Sequence, residues 1–470
     1  MRALALVTLP LALAAGCVPD GSPGAPPGVG IGGSTGTPPF SRAGIVRDQG
    51  MEGEVHAEPP LATLDDYLAY AALHNPGLEA AYYRWQAATE RAPQARSLPN
   101  PVLNYGHYIR SVETKVGPQR DRVGLSQTIP WPGKLIAASA MADREAEAAR
   151  LGYEAAKFEL FYRVKDAWYE YYYLGRQTQV TEAVADLVRK MEEVVRARYA
   201  AGAAGHPDLI RAQVELGRVE DRVRSLRDLR SAAAARLNAV LGRPTDAPVP
   251  WPGEAPAVSS LAASDESLVA EVLERNPELA ALGAQVERDR RAVSLARQNY
   301  WPDITVGGEY IFTDKARSTM PIEDNGKDPV VVSVGLSLPI WFGRYRAAER
   351  EARDRLRGTE LSREDRGNAI AARLKRVLFE LRDAERKAEL YGRTLIPRAE
   401  DSLAANEAAF KAGRTDFSAL LDAERVLLDF RLSYEQAVAG HAQRLGELEM
   451  LLGRPVATET LPDASKEVGR

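Results

Sequence analysis

The chain has 470 residues, of which 45% are hydrophobic and 27% charged, and its formal net charge is −4. This balance gives no basis for binding nucleic acid, which needs a basic face. A single cysteine excludes an internal disulfide framework, and five scattered histidines argue against a His-rich metal site. No run after residue 16 has the roughly 18 consecutive apolar residues of a membrane-spanning helix. No catalytic or phosphate-binding motif is present in a fitting context, so we predict neither an enzyme nor a resident cofactor or metal.

The first 16 residues are typical of an export signal, with a basic Arg2 followed by an apolar run and small residues. The arrangement before Cys17 resembles a bacterial lipoprotein signal. That resemblance implies acylation of Cys17 and, because Val18 rather than aspartate follows, passage to the outer membrane. The alternative is a plain secretory signal with an incidental thiol. Residues 17–60 are rich in proline and glycine, which predicts a flexible tether.

The first repeat, residues 61–244, begins with apolar residues at helical spacing and then changes to strict alternation. This pattern predicts a short helix, a hairpin of two strands, a very long helix, a turn and a helix of half that length. The predicted bounds are helix 64–96, β-hairpin 101–130, long helix 132–201, tip 202–207 and helix 208–241. At ~1.5 Å per residue the long helix spans roughly 105 Å.

Residues 245–265 are predicted as a linker, and residues 266–455 repeat the same pattern before a C-terminal tail at 456–470. The predicted bounds are helix 266–299, β-hairpin 302–340, long helix 344–412, tip 413–416 and helix 417–452. Pro397 and Gly392 interrupt the second long helix, and a proline at that place predicts a kink. Two short helices end to end match one long helix, which predicts a tubular wall.

Landmarks shared by the two copies establish the repeat. Asn75-Pro76 recurs as Asn276-Pro277, and Leu241-Gly242-Arg243-Pro244 recurs as Leu452-Gly453-Arg454-Pro455. The glycines Gly202 and Gly413 are also equivalent and mark the two tips. The chain therefore consists of two copies of one unit.

The alternating segments have one apolar face and one small or polar face. This alternation is typical of transmembrane β-strands, although a half-buried soluble sheet is the alternative. Trp131, Trp301 and Trp341 lie at the same end of the predicted strands, as membrane-interface aromatics do. We therefore predict that this end lies at a membrane interface.

Three motifs carry a resemblance to a known family. They are residues 99–101 (Pro-Asn-Pro), residues 127–134 (Gln-Thr-Ile-Pro-Trp-Pro-Gly-Lys) and the two Leu-Gly-Arg-Pro ends. Over residues 61–456 the chain resembles the TolC-like outer membrane efflux proteins, most closely the lipoprotein members of RND-type cation and drug efflux systems. The resemblance implies a mainly α fold with transmembrane β-strands. It further implies a homotrimer whose 12-stranded outer membrane barrel continues into a long periplasmic helical tunnel.

The function implied is a passive exit duct for a tripartite pump. Its partners would be a periplasmic adaptor protein, an inner-membrane RND pump and outer membrane lipids, and its cargo heavy-metal cations. A multidrug cargo and a structural coiled-coil surface lipoprotein are the alternatives.

Control of the duct is expected at the tips. In the family, acidic rings near the second tip narrow the entrance, and Asp422 falls on one such position while Ala419 occupies the other. Asp416 or Asp208 could supply the charge instead, or each could simply cap a helix. Arg414 and Phe410 are candidates for contacts that hold the tips closed, the alternatives being a solvated arginine and a packed aromatic.

Overall fold

The structure is a computed structural model that describes residues 61–318 and 320–460. The predicted signal peptide, Cys17, the tether and residues 461–470 of the tail lie outside the described residues. Everything described below belongs to one unit that begins at Pro60. Among the described residues, no helix combines the length and the hydrophobicity needed to cross a membrane.

The segment predicted as one helix over residues 64–96 is three helices: α1 (Leu64–His74), α2 (Pro76–Thr89) and α3 (Arg91–Arg96). The prediction of one helix was wrong because apolar periodicity continues across a backbone break. Asn75 is extended, at φ −71° and ψ 117°, since the residue before a proline is disfavoured in the α region. Pro76 then starts α2, where its missing N–H costs nothing.

A β-hairpin and the long helix follow. Strands β1 (Val102–Thr114) and β2 (Gly117–Ile129) pair antiparallel. Helix α4 (Pro132–Ala200) has 69 residues, which corresponds to about 100 Å. Helix α5 (His206–Leu241) returns along it with 36 residues.

The second repeat begins after a short strand, β3 (Ser259–Leu261), that the sequence analysis did not predict. Helices α6 (Asp265–Arg275) and α7 (Pro277–Gln298) replace the single helix predicted at 266–299, divided at Asn276 for the same reason as in the first repeat. Strands β4 (Ile304–Thr313) and β5 (Val330–Leu336) form the second hairpin. Strand β5 ends four residues before the predicted boundary at 340.

The second long helical segment is divided as well. Helix α8 (Phe342–Leu390) passes through a π-helical turn at Tyr391–Leu395 into α9 (Ile396–Lys411). The predicted interruption at Gly392 and Pro397 is therefore a π turn, which accommodates the proline without breaking the helix. Helix α10 (Phe417–Leu452) and strand β6 (Thr458–Thr460), which pairs with β3, are the last elements of the described residues.

The four longer strands make one antiparallel sheet in the order β1-β2-β4-β5. Its register puts apolar side chains opposite one another: Tyr105 pairs with Val123, Val123 with Tyr310, and Tyr310 with Val330. Directly paired residues share a face. One face is therefore mainly apolar from edge to edge, and the other carries the small and polar residues.

The shared sequence landmarks form the same latch in both repeats. The side-chain amide of Asn75 donates to Val240 O at 2.7 Å, and its oxygen accepts from Leu78 N at 3.0 Å. The Asn276 amide donates to Leu451 O at 2.8 Å, and its oxygen accepts from two N–H groups of α7. Each asparagine thus caps one helix and ties it to the last turn of another.

Candidate functional site: the helical tips and the four-stranded sheet

The two tips are tight turns between a long helix and a half-length one. Gly202 and Gly413 have φ of +73° and +68°, the left-handed conformation that ends a helix and that glycine adopts without strain. Gly205 precedes α5, and Asp416 caps α10 by accepting from Ala419 N at 3.1 Å. The predicted tip glycines therefore have the geometry of turns.

An arginine that the sequence analysis missed joins the two tips. Arg198, in the last turn of α4, donates to Phe410 O at 2.8 Å, and its guanidinium carbon lies 4.7 Å from the centroid of the Phe410 ring. The Phe410 ring is buried and lies 5.9 Å from the ring of Phe417. Phe410 is therefore a packed aromatic that also receives a cation from the neighbouring tip. The sequence signal that could have identified Arg198 is a basic residue in the last turn of a helix.

The predicted acidic residues lie on different parts of the tips. Asp422 is exposed, and its carboxylate lies 3.4 Å from Arg425. Asp208 lies 3.6 Å from Arg211 in the first turn of α5. A hydrogen bond from the Ser418 hydroxyl and one from Ala419 N lower the pKa of Asp416, which fits its role as a helix cap. Arg414 is exposed, next to the Gly413 turn.

A buried carboxyl group in the same region was also missed. Glu424 on α10 is 3% exposed, and its Oε2 atom has no hydrogen-bond partner among the described residues. Burial raises the pKa of Glu424, and the nearby carboxylate of Glu407 on α9 raises it further, whereas the positive charge of Arg431 lowers it. The sequence analysis did not single out Glu424, because helical periodicity does not show which face of a helix another helix covers.

At the sheet, the structure brings together two of the three predicted interface tryptophans. Trp131 and Trp301 stack with centroids 4.8 Å apart, and Trp131 N donates to Asp303 Oδ1 at 2.9 Å. Lys134 Nζ also lies 2.7 Å from that carboxylate. Trp341 is separate from this pair at the start of α8 and is 72% exposed. Within residues 61–318 and 320–460 no three His, Cys, Asp or Glu side chains are arranged to hold a metal ion.

An exposed apolar sheet face that leads into helical segments of about 100 Å is typical of a membrane channel with a helical extension. The sequence profile of the family described as "Outer membrane efflux protein" matches residues 68–243 and 268–454. The chain belongs to this family. The matched ranges correspond to the two repeats, and the family consists of channels rather than enzymes.

Individual relatives agree. The chain is 25% identical over 400 residues to the cobalt-zinc-cadmium resistance protein CzcC of Cupriavidus metallidurans, covering 83% of this chain and 90% of CzcC. Among solved structures it is similar to CusC, with a TM-score of 0.70, 15% identity and coverage of 83% and 92%. It is also similar to the open state of MtrE of Neisseria gonorrhoeae, with a TM-score of 0.67, 17% identity and coverage of 85% and 91%. The predicted fold class is confirmed, and the protein is an outer membrane exit duct of an efflux system.

Proposed function

We propose that three copies of the chain assemble into one duct that carries heavy-metal cations out through the outer membrane. The observation that carries the assembly is the open sheet. Strands β1 and β5 are its two edges, and each leaves unpaired N–H and C=O groups, which cannot remain unsatisfied in hydrocarbon. Pairing β5 of one copy with β1 of the next closes three sheets into a twelve-stranded barrel without an edge.

The similarity to CzcC over 90% of its length supports a cation cargo. CzcC is named for cobalt, zinc and cadmium resistance, and the alignment spans both repeats rather than one shared module. A multidrug cargo is the second candidate.

The tips are the proposed docking site for a periplasmic adaptor protein and, through it, an inner-membrane RND pump. The exposed Asp422 and Arg414 lie where a docked partner would reach them. We propose that Asp422, Asp416 and Asp208 contribute to the charge of the entrance. Phe410 and Arg414 would contribute to holding the entrance closed.

The proposed location is the outer membrane, with Cys17 as a lipid anchor and the helices in the periplasm. A Cys17→Ala variant tests the anchor. It should lose incorporation of labelled palmitate and still form a duct, because the barrel alone holds it in the membrane. Labelling that persists in this variant would contradict acylation at Cys17.

The assembly is tested by the mass of the detergent-extracted protein. We expect the mass of three chains in light scattering coupled to size-exclusion chromatography. A monomer that stays in solution without detergent would contradict the barrel.

The cargo is tested by deleting the gene and measuring growth inhibition. The deletion strain should become sensitive to cobalt, zinc or cadmium and keep its tolerance of hydrophobic drugs, and a plasmid copy should restore resistance. Sensitivity to drugs alone would favour the second candidate.

A further inference from the structure

The polar face of the four-stranded sheet is built mainly from small side chains. Where β1, β2, β4 and β5 pair, glycine, serine and threonine occupy most positions of this face. They are Gly106, Gly124, Ser126, Thr128, Thr305, Gly307, Ser333 and Gly335. In a closed barrel this face lines the water-filled interior, because the apolar face meets lipid.

Two charged residues interrupt this uncharged surface at one level. They are Arg122 on β2 and Glu309 on β4, each of which pairs directly with a glycine of this face. Arg122 Nε lies 3.5 Å from Glu309 Oε1. Both side chains are partly exposed, at 55% and 33%. Glu309 pairs directly with Gly124, the residue two positions after Arg122.

The glycine opposite Arg122 lets its side chain lie against the wall, whereas the contact at Gly124 is an ordinary van der Waals distance. Gly106 pairs directly with Arg122, and a Cβ atom at Gly106 would lie 2.6 Å from Arg122 Nε. A Cβ atom at Gly124 would lie 3.6 Å from Glu309 Cγ. A larger residue at position 106 would therefore push the guanidinium away from the sheet and into the interior.

We propose that Arg122 and Glu309 form a charge-balanced ring that keeps the barrel interior unselective between cations and anions. This inference rests on the proposed trimeric duct, in which each copy contributes one pair and the level is a ring of alternating charge. A ring of like charges in a pore attracts counter-ions and repels ions of its own sign. Because each arginine faces a glutamate, the ring is neutral as a whole, and ions of either sign pass this level.

The test is the reversal potential of single channels of the full-length protein in planar bilayers under a potassium chloride gradient. Glu309→Gln leaves three unpaired arginines and should shift selectivity toward chloride, relative to wild type. Arg122→Gln leaves three unpaired glutamates and should shift it toward potassium. We expect each permeability ratio to change by at least about twofold, and the double variant should return close to wild type.

The dependence of the selectivity shifts on salt concentration distinguishes an electrostatic effect of the two side chains from a deformation of the barrel. The screening length is about 30 Å at 0.01 M salt and about 3 Å at 1 M. The opposite shifts should therefore be large at low salt and nearly vanish at high salt, whereas a deformed barrel would change conductance at both. Arg120→Gln is the matched control. Arg120 pairs with Asp121 and Asp314 near the hairpin end, and its loss should shift selectivity less.

The possible outcomes are distinct. Wild-type protein that does not insert as a trimer would overturn the proposed duct and this inference with it. Wild-type channels with unchanged selectivity in both single variants would overturn only the assignment of Arg122 and Glu309. Selectivity shifts of the same sign in both single variants would also overturn that assignment.

Discussion

At the scale of single residues, the tips of this channel contain polar groups whose roles depend on their neighbours. Asp416 is a helix cap, Glu424 is buried without a hydrogen-bond partner for one oxygen among the described residues, and Arg198 connects one tip to the other. An unsatisfied buried oxygen costs on the order of 1–3 kcal/mol. The tip therefore contains groups that could be improved for stability.

Glu424→Gln should raise the midpoint of thermal unfolding at neutral pH by the equivalent of about 1 kcal/mol, because the neutral amide avoids the cost of burying a charge. Burial raises the pKa of Glu424 in the folded state. The folded state is therefore fully stabilised by the protonated carboxyl group below the ordinary pKa of 4.5, and it loses that stabilisation as the pH rises through the folded-state pKa. The gain of the variant should therefore shrink as the pH falls toward 4.5, measured by helical circular dichroism in detergent. Glu389→Gln, at an exposed pair with Arg393, should show no such pH dependence. A gain that is constant with pH would contradict the buried-carboxyl explanation.

Arg198→Ala should loosen the connection between the tips. The variant loses a charge-assisted hydrogen bond to Phe410 O and the cation over the Phe410 ring, together about 1.5–3 kcal/mol. Limited proteolysis should then cut faster at the turns after α4 and α9. Lys411→Ala, which removes an exposed cation at the end of α9, is the control. Equal cleavage of both variants would show that the bridge does not hold the tips.

At the scale of elements, each repeat is closed by the same junction between its first and last helices. Gly242 and Gly453 have φ of +79° and +68°, and a Cβ atom at Gly453 would lie 2.7 Å from Pro277 Cγ. In the second repeat Arg454 also forms a bidentate pair with Glu271 on α6. The asparagine, glycine and arginine of the repeated motifs are therefore parts of one junction.

Asn276→Ala should destabilise the second repeat by about 1–3 kcal/mol, because two N–H groups of α7 and Leu451 O lose their buried partner. The loss can be read from thermal unfolding. Asn406→Ala is a matched control, since the Asn406 amide bonds only its own helix at an exposed site. An equal effect of the two substitutions would contradict the latch.

The π turn gives a second prediction at this scale. A Cβ atom at Gly392 would lie 2.9 Å from Tyr434 Cε2, whereas one at Gly358 on α8 would meet open space. Gly358→Ala should therefore be neutral or stabilise by about 0.5–1 kcal/mol, and Gly392→Ala should destabilise. Stabilisation by both would mean that α10 does not press on the turn.

At the scale of the whole molecule, the described residues leave an apolar sheet face and two strand edges uncovered. Val332 and Val334 are 75% and 74% exposed on the apolar face. A face of this kind is stable in lipid and unfavourable in water. A membrane would cover the apolar face, and the further copies proposed above would pair with the two edges.

Neighbouring valines on β5 test which face meets lipid. Val331 pairs with Glu309 on the polar face, and Val332 pairs with Gly308 on the apolar face. Val332→Lys should cost about 2–4 kcal/mol near the membrane midplane, whereas Val331→Lys should be tolerated. The measurement is the fraction of heat-resistant trimer on a denaturing gel after membrane insertion. A greater loss for Val331→Lys would reverse the assigned faces.

The sequence by itself determined the two repeats, the hairpins, the long helices and the tip glycines. These features depend on local signals: alternation, helical periodicity and backbone positions that only glycine adopts easily. Only the tertiary structure divided the short helices at Asn75 and Asn276, placed a π turn where the sequence predicted a kink and paired β3 with β6. It alone placed Arg198 on Phe410, buried Glu424 under α9 and brought Arg122 to Glu309. These partners are far apart in the chain, and apolar periodicity identifies the buried side of a helix but not the side chain that meets it there.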